Sequence, residues 1–262
     1  MIFLKFPRFF ATILLLISCF ATSAFATSET DKISWFFKTS EESSRPCFPT
    51  IGEIAKEHGA IFIGSEGDKK IYLTFDAGYS NENVEKTLDI LKDQNVKAAF
   101  FILPGIIKNS PETVKRMAEE GHLVCNHTWS HCDMSKLTES EDVREELTKL
   151  EALYKASFGS EMEKFVRPPE GSFSERSLEL SKQLGYTTVF WSFAYADWDN
   201  SKQQAPEKAM ARVLNSAHDG MVMLLHPTSK TNADILSDVI VGLREKGFEF
   251  GTLDELKAKA DN

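Results

Sequence analysis

The stretch Ile71-Tyr72-Leu73-Thr74-Phe75-Asp76-Ala77-Gly78-Tyr79 is an apolar run, rich in β-branched and aromatic residues, that stops on an acid and a glycine. Such a run reads as a buried strand whose downstream tip carries a carboxylate. The pattern recurs. Short apolar runs occupy 97–102, 122–126, 165–167, 187–193, 221–225 and 248–253. Polar clusters lie at or beyond the ends of several of them: His127-Thr128-Trp129-Ser130-His131, Arg167-Pro168-Pro169-Glu170-Gly171, Asp197-Trp198 and Leu224-Leu225-His226-Pro227.

Helical patterns separate these runs. Residues 83–94 place Val84, Leu88 and Leu91 on one face, and 111–120 follows Ser110-Pro111, an N-cap with proline behind it, and stops at Gly121. Residues 138–154 open on Thr138-Glu139-Ser140-Glu141, a capping-box arrangement, and 174–184, 205–216 and 233–245 continue the alternation. Strands alternating with helices pair in parallel, because each crossover returns the chain to the same end of the sheet. An open sheet gathers ligands at one switch point, whereas here polar groups occupy at least five strand tips, as they do around one barrel mouth. The expected fold is therefore α/β: a distorted (β/α) barrel of about seven parallel strands. Residues 27–68, with Trp35, Phe36 and Phe37, are expected to form an N-terminal extension packed outside it, ahead of a catalytic domain over 69–262.

Lys5 and Arg8, an apolar stretch from Phe9 to Phe20, and Ala24-Phe25-Ala26 have the layout of a secretory signal peptide over 1–26. The apolar part is shorter than a membrane span needs, so export with cleavage is expected, and no transmembrane anchor afterwards. Leu16-Ile17-Ser18-Cys19 is a weaker alternative, a lipobox that leaves Cys19 lipidated. Cleavage after Ala26 removes two cations and no acid, taking the formal charge from -9 to -11 and leaving 236 of 262 residues. An acidic exported chain of that size suits one large domain and argues against a nucleic-acid partner. Cys47, Cys125 and Cys132 remain, an odd number without a repeated C-x-x-C, so neither a disulfide framework nor a structural zinc holds the fold.

Asp76, beside Gly78, can serve as a general base on water, or can simply cap the following turn. His127 and His131, four apart, either reach one divalent ion or are independent histidines on a polar loop. Cys125 reads as a small buried residue, and Cys132 as a weak candidate ligand. Arg167 can orient an acid or hold a substrate carboxylate, with Asp197 a possible counter-ion and Trp198 a wall for sugar rings. His226 follows an apolar strand and titrates near neutrality, which suits proton donation to a leaving group, while His58, His122 and His218 read as structural or solvated.

Taken in order, TFDAGY, HTWSH, RPPEG, Asp197-Trp198 and LLHP resemble the motifs of the polysaccharide deacetylases, carbohydrate esterase family four, from about Lys69 onward. The upstream SWFFK segment and the D-x-G-Y form of the first motif are similar to the muramic δ-lactam-forming peptidoglycan de-N-acetylases of spore-forming bacteria. The resemblance implies a hydrolase that removes acetyl from N-acetylmuramic acid in cell-wall glycan; the chain is expected to act as a monomer and, from its N-terminal segment, outside the cytoplasmic membrane. It implies Asp76 as base, His226 as acid, His127 and His131 as metal ligands, and Arg167 tethered to Asp197 and steering Asp76. A backbone amide near Glu170 would meet the oxyanion, and Tyr79, Glu170 and Trp198 would touch substrate. Ala77 departs from the family, which has a metal-binding aspartate there, so a divalent ion, zinc or another transition metal, is expected to be weakly held. Glu170 departs too, standing where a neutral or basic residue is usual. The alternatives are an N-acetylglucosamine or chitooligosaccharide deacetylase, and a non-catalytic glycan-binding relative.

Overall fold

A computed structural model describes residues 28–39 and 44–261, and the expected signal peptide, with Cys19, lies outside the described residues. In chain order the elements are β1 (Ile33–Ser34), α1 (Ile51–Glu57), β2 (Lys70–Ala77), α2 (Glu82–Asp93), β3 (Ala99–Ile102), α3 (Pro104–Asn109), α4 (Pro111–Glu119) and β4 (Leu123–Asn126). There follow α5 (Ser140–Phe158), β5 (Glu163–Val166), β6 (Ser172–Phe173), α6 (Glu175–Gln183), β7 (Thr187–Thr188), α7 (Pro206–Asn215), β8 (Met221–Leu225), α8 (Lys230–Glu245), β9 (Glu249–Gly251) and α9 (Leu253–Ala260).

Seven strands form one curled parallel sheet in the order β7-β5-β4-β3-β2-β8, with β9 pairing the first residues of β2. The two-residue alternation of β2 sets the layers. Ile71, Leu73, Phe75 and Ala77 pack with Val84 and Leu88 of α2 and Leu236 and Ile240 of α8, while Tyr72 packs inside the curl with Phe101, Cys125 and Val222. Thr74 and Asp76 share the parity of Tyr72, so the acid faces the barrel interior at its C-terminal end. Burial of both faces explains why β2 and β8 read as continuous apolar runs.

The run expected as a strand over 187–193 is regular only at Thr187–Thr188. It then changes partners: Val189 bridges Ile61, and Phe193 bridges Met223 of β8 in parallel. One chain segment thus spans the gap between the two sheet edges, which no uniform ladder can do. The extension seals this region from outside. Trp35 stacks on Phe190 with centroids 4.3 Å apart, its indole N–H donates to the Trp191 carbonyl at 2.8 Å, and β1 pairs with β6. Gly171 has φ +66°, and a Cβ there would lie 2.7 Å from that of Trp35, so only glycine permits the approach.

Three local expectations need correction. Helix α5 begins at Ser140, and its N-cap Glu139 makes no side-chain capping bond, so the capping box at Thr138 does not form; Arg176 instead donates to the Thr138 carbonyl. Ser110 makes no capping bond either, because it is also the residue that ends α3. A capping box occurs at α6, where Ser174 and Ser177 bond reciprocally. Leu253, expected as the end of a strand, starts α9 behind the Thr252 cap.

Candidate active site

The C-terminal ends of the strands surround a cavity of about 670 Å³ lined by Asp76, His127, His131 and His226, with Trp191 and Trp198 among its walls. Four groups separated by as many as 150 positions in sequence thus meet because each closes a parallel strand or the loop after it. Tyr79, Glu170, Leu103 and Thr228 complete the rim.

Arg167 organises the centre. It is fully buried, lies 4.1 Å over the Phe101 ring, and donates to Asp76 Oδ1 at 2.7 Å and to Thr74 Oγ1 at 2.8 Å. Thr74 passes the contact on by donating to the Met223 carbonyl of β8. Burial would raise the Asp76 carboxyl, but the Arg167 charge, with His127 and His226 behind it, outweighs that and holds it below the usual carboxylate range. The carbonyl of the same arginine accepts from His127 Nδ1 at 2.9 Å. That bond fixes the tautomer and leaves the Nε2 lone pair facing Asp76 Oδ2 at 3.6 Å. Burial, ahead of other influences, pushes the His127 imidazole down to about 4.

The tether expected between Arg167 and Asp197 does not form. Asp197 is the partner of His226: it accepts the backbone N–H at 2.8 Å and Nδ1 at 2.8 Å. Burial alone would lower His226, yet the bond and charge of Asp197 outweigh it and raise the imidazole above its ordinary value. Asn232 of α8 completes this arm by donating to Asp197 Oδ2 at 2.5 Å and to the His226 carbonyl at 3.1 Å, while accepting from Tyr195. Arg167 and His226 therefore have separate acids, Asp76 for Arg167 and Asp197 for His226. Sequence shows that two such pairs are available but not how they are matched.

His127 and His131 lie on a tight loop and their ring centroids are 5.1 Å apart. Thr128 and His131 adopt φ of 70° and 55°, a region unusual for residues other than glycine. Ala77 is wholly buried among Phe75, Ile102 and Ile106 on the helix side of the sheet and offers no donor atom. Among the described residues no cluster of three or more His, Cys, Asp or Glu side chains is arranged to hold a metal. The donors present nonetheless fit a divalent ion. An Nδ1-tethered imidazole directs its lone pair into the cavity beside a carboxylate oxygen 3.6 Å away, so a nitrogen and an oxygen donor of the kinds that ligate divalent ions face the same space.

Cys132 does not line the cavity, and burial first, then Glu146, raise its thiol to about 11, which keeps it protonated. Cys125 is buried in the barrel interior. Tyr79 and Trp198 are 51% and 62% exposed, unusually open for large aromatic side chains, and Trp198 meets the His226 ring edge-on at 6.2 Å. Glu170 is exposed at the rim with φ 56°. Sequence reading missed Thr74, Asn126, Glu146 and Asn232, whose only signal is a polar residue on a strand or helix face otherwise read as core or solvated.

Residues 64–189 match the polysaccharide deacetylase family. The peptidoglycan-N-acetylmuramic acid deacetylase PdaA of Bacillus subtilis is 37% identical over 228 residues, 86% of this chain and 86% of that protein. A peptidoglycan-N-acetylglucosamine deacetylase of Bacillus cereus is 34% identical over 205 residues, 77% of this chain and 73% of that protein. The solved structure of Bacillus subtilis PdaA, a family 4 carbohydrate esterase, superposes with a TM-score of 0.83 at 34% identity, covering 88% of this chain and 98% of that one. With this fold and these motifs in order around one cavity, the chain belongs to the polysaccharide deacetylases, carbohydrate esterase family four, hydrolases of carbon–nitrogen bonds other than peptide bonds.

Proposed function

We propose that the protein removes the acetyl group from N-acetylmuramic acid residues of peptidoglycan, outside the cytoplasmic membrane, as a step towards muramic δ-lactam of the spore-cortex type. The observation that carries this reading is a pair of titratable groups on one cavity, each bonded to its own opposite charge and perturbed in opposite directions: Arg167 holds Asp76 below the usual carboxylate range, and Asp197 raises His226 above its ordinary value. Divergent pairs of this kind divide base from acid. Asp76 accepts a proton from the attacking water, its free Oδ2 facing the cavity while Arg167 holds Oδ1. The water oxygen bonds to the acetyl carbon, and a main-chain N–H near Glu170 receives the developing oxyanion. As the C–N bond breaks, His226 Nε2 delivers its proton to the departing sugar amine; Asp197 stabilises the imidazolium and fixes its ring. Acetate and a free amine result.

His127 and His131 would hold a divalent ion, whose chemistry when bound is to polarise the amide carbonyl and favour ionised water. With Ala77 contributing nothing, a divalent ion there would be weakly held. Tyr79 and Trp198 offer exposed ring faces to neighbouring sugars. Export is supported by the composition of residues 1–26, and among the described residues no helix is long and apolar enough to cross a membrane.

Support for muramic acid is the 37% identity to PdaA over most of both chains. The Bacillus cereus relative, at 34%, favours N-acetylglucosamine as a second reading. Mass spectrometry of muropeptides after incubation with peptidoglycan and added zinc separates the two. Acetyl loss on muramic residues is expected; loss confined to glucosamine residues would overturn the muramic reading, and no loss at all would overturn both.

A further inference from the structure

Between His127 and His131 the loop takes most of its side-chain hydrogen bonds from one turn of α5, a helix that lines no part of the cavity. Glu146 Oε2 accepts the backbone N–H groups of Trp129 and Ser130 at 3.0 and 2.9 Å, and Oε1 accepts the Ser130 hydroxyl at 2.8 Å. The next residue, Leu147, offers its carbonyl to Asn126 Nδ2 at 2.9 Å, and Asn126 Oδ1 accepts the Thr128 N–H at 2.8 Å. Lys149 places its ammonium 4.7 Å from the Trp129 ring centroid, and Lys108 of α3 lies 4.6 Å from the same centroid. Three consecutive amides, those of Thr128, Trp129 and Ser130, are thereby held between two residues whose φ is positive, Thr128 and His131.

The two imidazoles depend on this fastening unequally. His127 has its own anchor at the Arg167 carbonyl. His131 is exposed, and among the described residues its ring has no hydrogen-bond partner, so apart from its edge-on contact with the His127 ring its place is set by the loop backbone. A Thr and a His in left-handed backbone would relax without compensation from elsewhere, and charge-assisted bonds from a carboxylate are strong enough to supply it.

We infer that Glu146 is a positioning residue that sets the spacing of the His127 and His131 imidazoles by clamping the loop between them. The inference rests on the reading of both histidines as metal ligands, and predicts that Glu146 governs metal affinity without approaching the metal. Because outer residues that orient ligands typically contribute about 10- to 100-fold in affinity, Glu146→Ala should weaken zinc binding by at least about 10-fold. Glu146→Gln keeps an oxygen for the two amides and an NH₂ for the Ser130 oxygen, so it should stay within about 3-fold of wild type, a difference of about 0.7 kcal/mol.

The test is zinc competition against a chromophoric chelator, run beside amide hydrogen exchange at Trp129 and Ser130. Loss of zinc affinity and amide protection together in Glu146→Ala, with rescue by Gln, is the expected result. A folded Glu146→Ala protein with wild-type affinity and wild-type protection overturns the inference. Ser130→Ala removes the Oε1 bond, together with the hydroxyl's contact with the Cys132 thiol, and reads the clamp if the alanine variant at 146 does not fold: a joint, smaller loss supports it and no change overturns it. Wild-type protein that binds no zinc would instead overturn the metal reading, and exchange at the two amides would still decide whether the clamp exists.

Discussion

Arg167 touches His127 through its main chain and Asp76 through its side chain, so one residue orients both an imidazole and a carboxylate across the same cavity. Arg167→Lys cannot reproduce this, because a single ammonium does not reach Asp76 and Thr74 in the forked geometry of a guanidinium. Arg167→Met should cost about 3–5 kcal/mol of stability, the usual effect of leaving a buried charge without its partner, and should abolish acetate release. Urea unfolding of the variant at neutral pH checks the first part, and a spectrophotometric acetate assay the second.

Asp197→Asn should act chiefly on His226, with the Asn232 bond to the same carboxylate disturbed as well. Removing the acid takes away the cause of the raised imidazole pKa, so His226 should titrate lower and the alkaline limb of the pH–rate profile should move to lower pH. Activity at neutral pH should fall by about 10²-fold or more, as when a general acid is lost. An unchanged alkaline limb would remove His226 from the acid role.

Asp76→Asn separates hydrolysis from binding. Loss of the base should lower kcat by about 10²- to 10⁴-fold while glycan affinity stays near wild type, measured by pull-down on insoluble peptidoglycan. A non-catalytic binding protein would show no acetate release even before the substitution.

Stability should depend on pH through buried histidines, among them two outside the site. Burial first of all lowers both His122 and His218 to about 4, against about 6.5 when unfolded. Between those values the unfolded chain takes up protons that the folded chain refuses, so stability is lost as pH falls from 6.5 towards 4. The slope should be about 1.4 kcal/mol per pH unit for each histidine. Neutral His218 is built into its surroundings: Nδ1 donates to the Ser216 carbonyl and Nε2 accepts from the Ser192 hydroxyl. Urea midpoints at pH 7 and pH 5 check the slope, and His218→Asn should flatten it by one histidine's share.

How much of this was legible in the sequence depended on whether a residue's role follows from its own segment. Asp76 and His226 close apolar runs, and His127 and His131 follow one, so their convergence could be argued from parallel topology alone. The partners could not. Asp197 was expected on Arg167 as a counter-ion, the tether that the family resemblance implies, yet the barrel brings Asp197 to the His226 backbone N–H and side chain. Glu146 on α5 and Asn232 on α8 belong to amphipathic patterns, where a polar residue reads as a solvated face or an anomaly in the core. Ala77 was legible as a missing ligand, but its burial on the helix side of β2 follows only from the parity of the folded strand. The closing segment 189–193 misled for a related reason: an apolar run indicates burial, not constancy of pairing partner.

The contact between Trp35 and the Trp191 carbonyl bears on how the protein can be trimmed. Trp191 forms a wall of the cavity, and the indole bonded behind it stands well before Gly64, where the family match begins. A shortened gene product starting at the family boundary would retain every group assigned to chemistry and lose the buttress for one side of the substrate's berth. Any minimal version intended for crystallisation or screening should start upstream of Ile33.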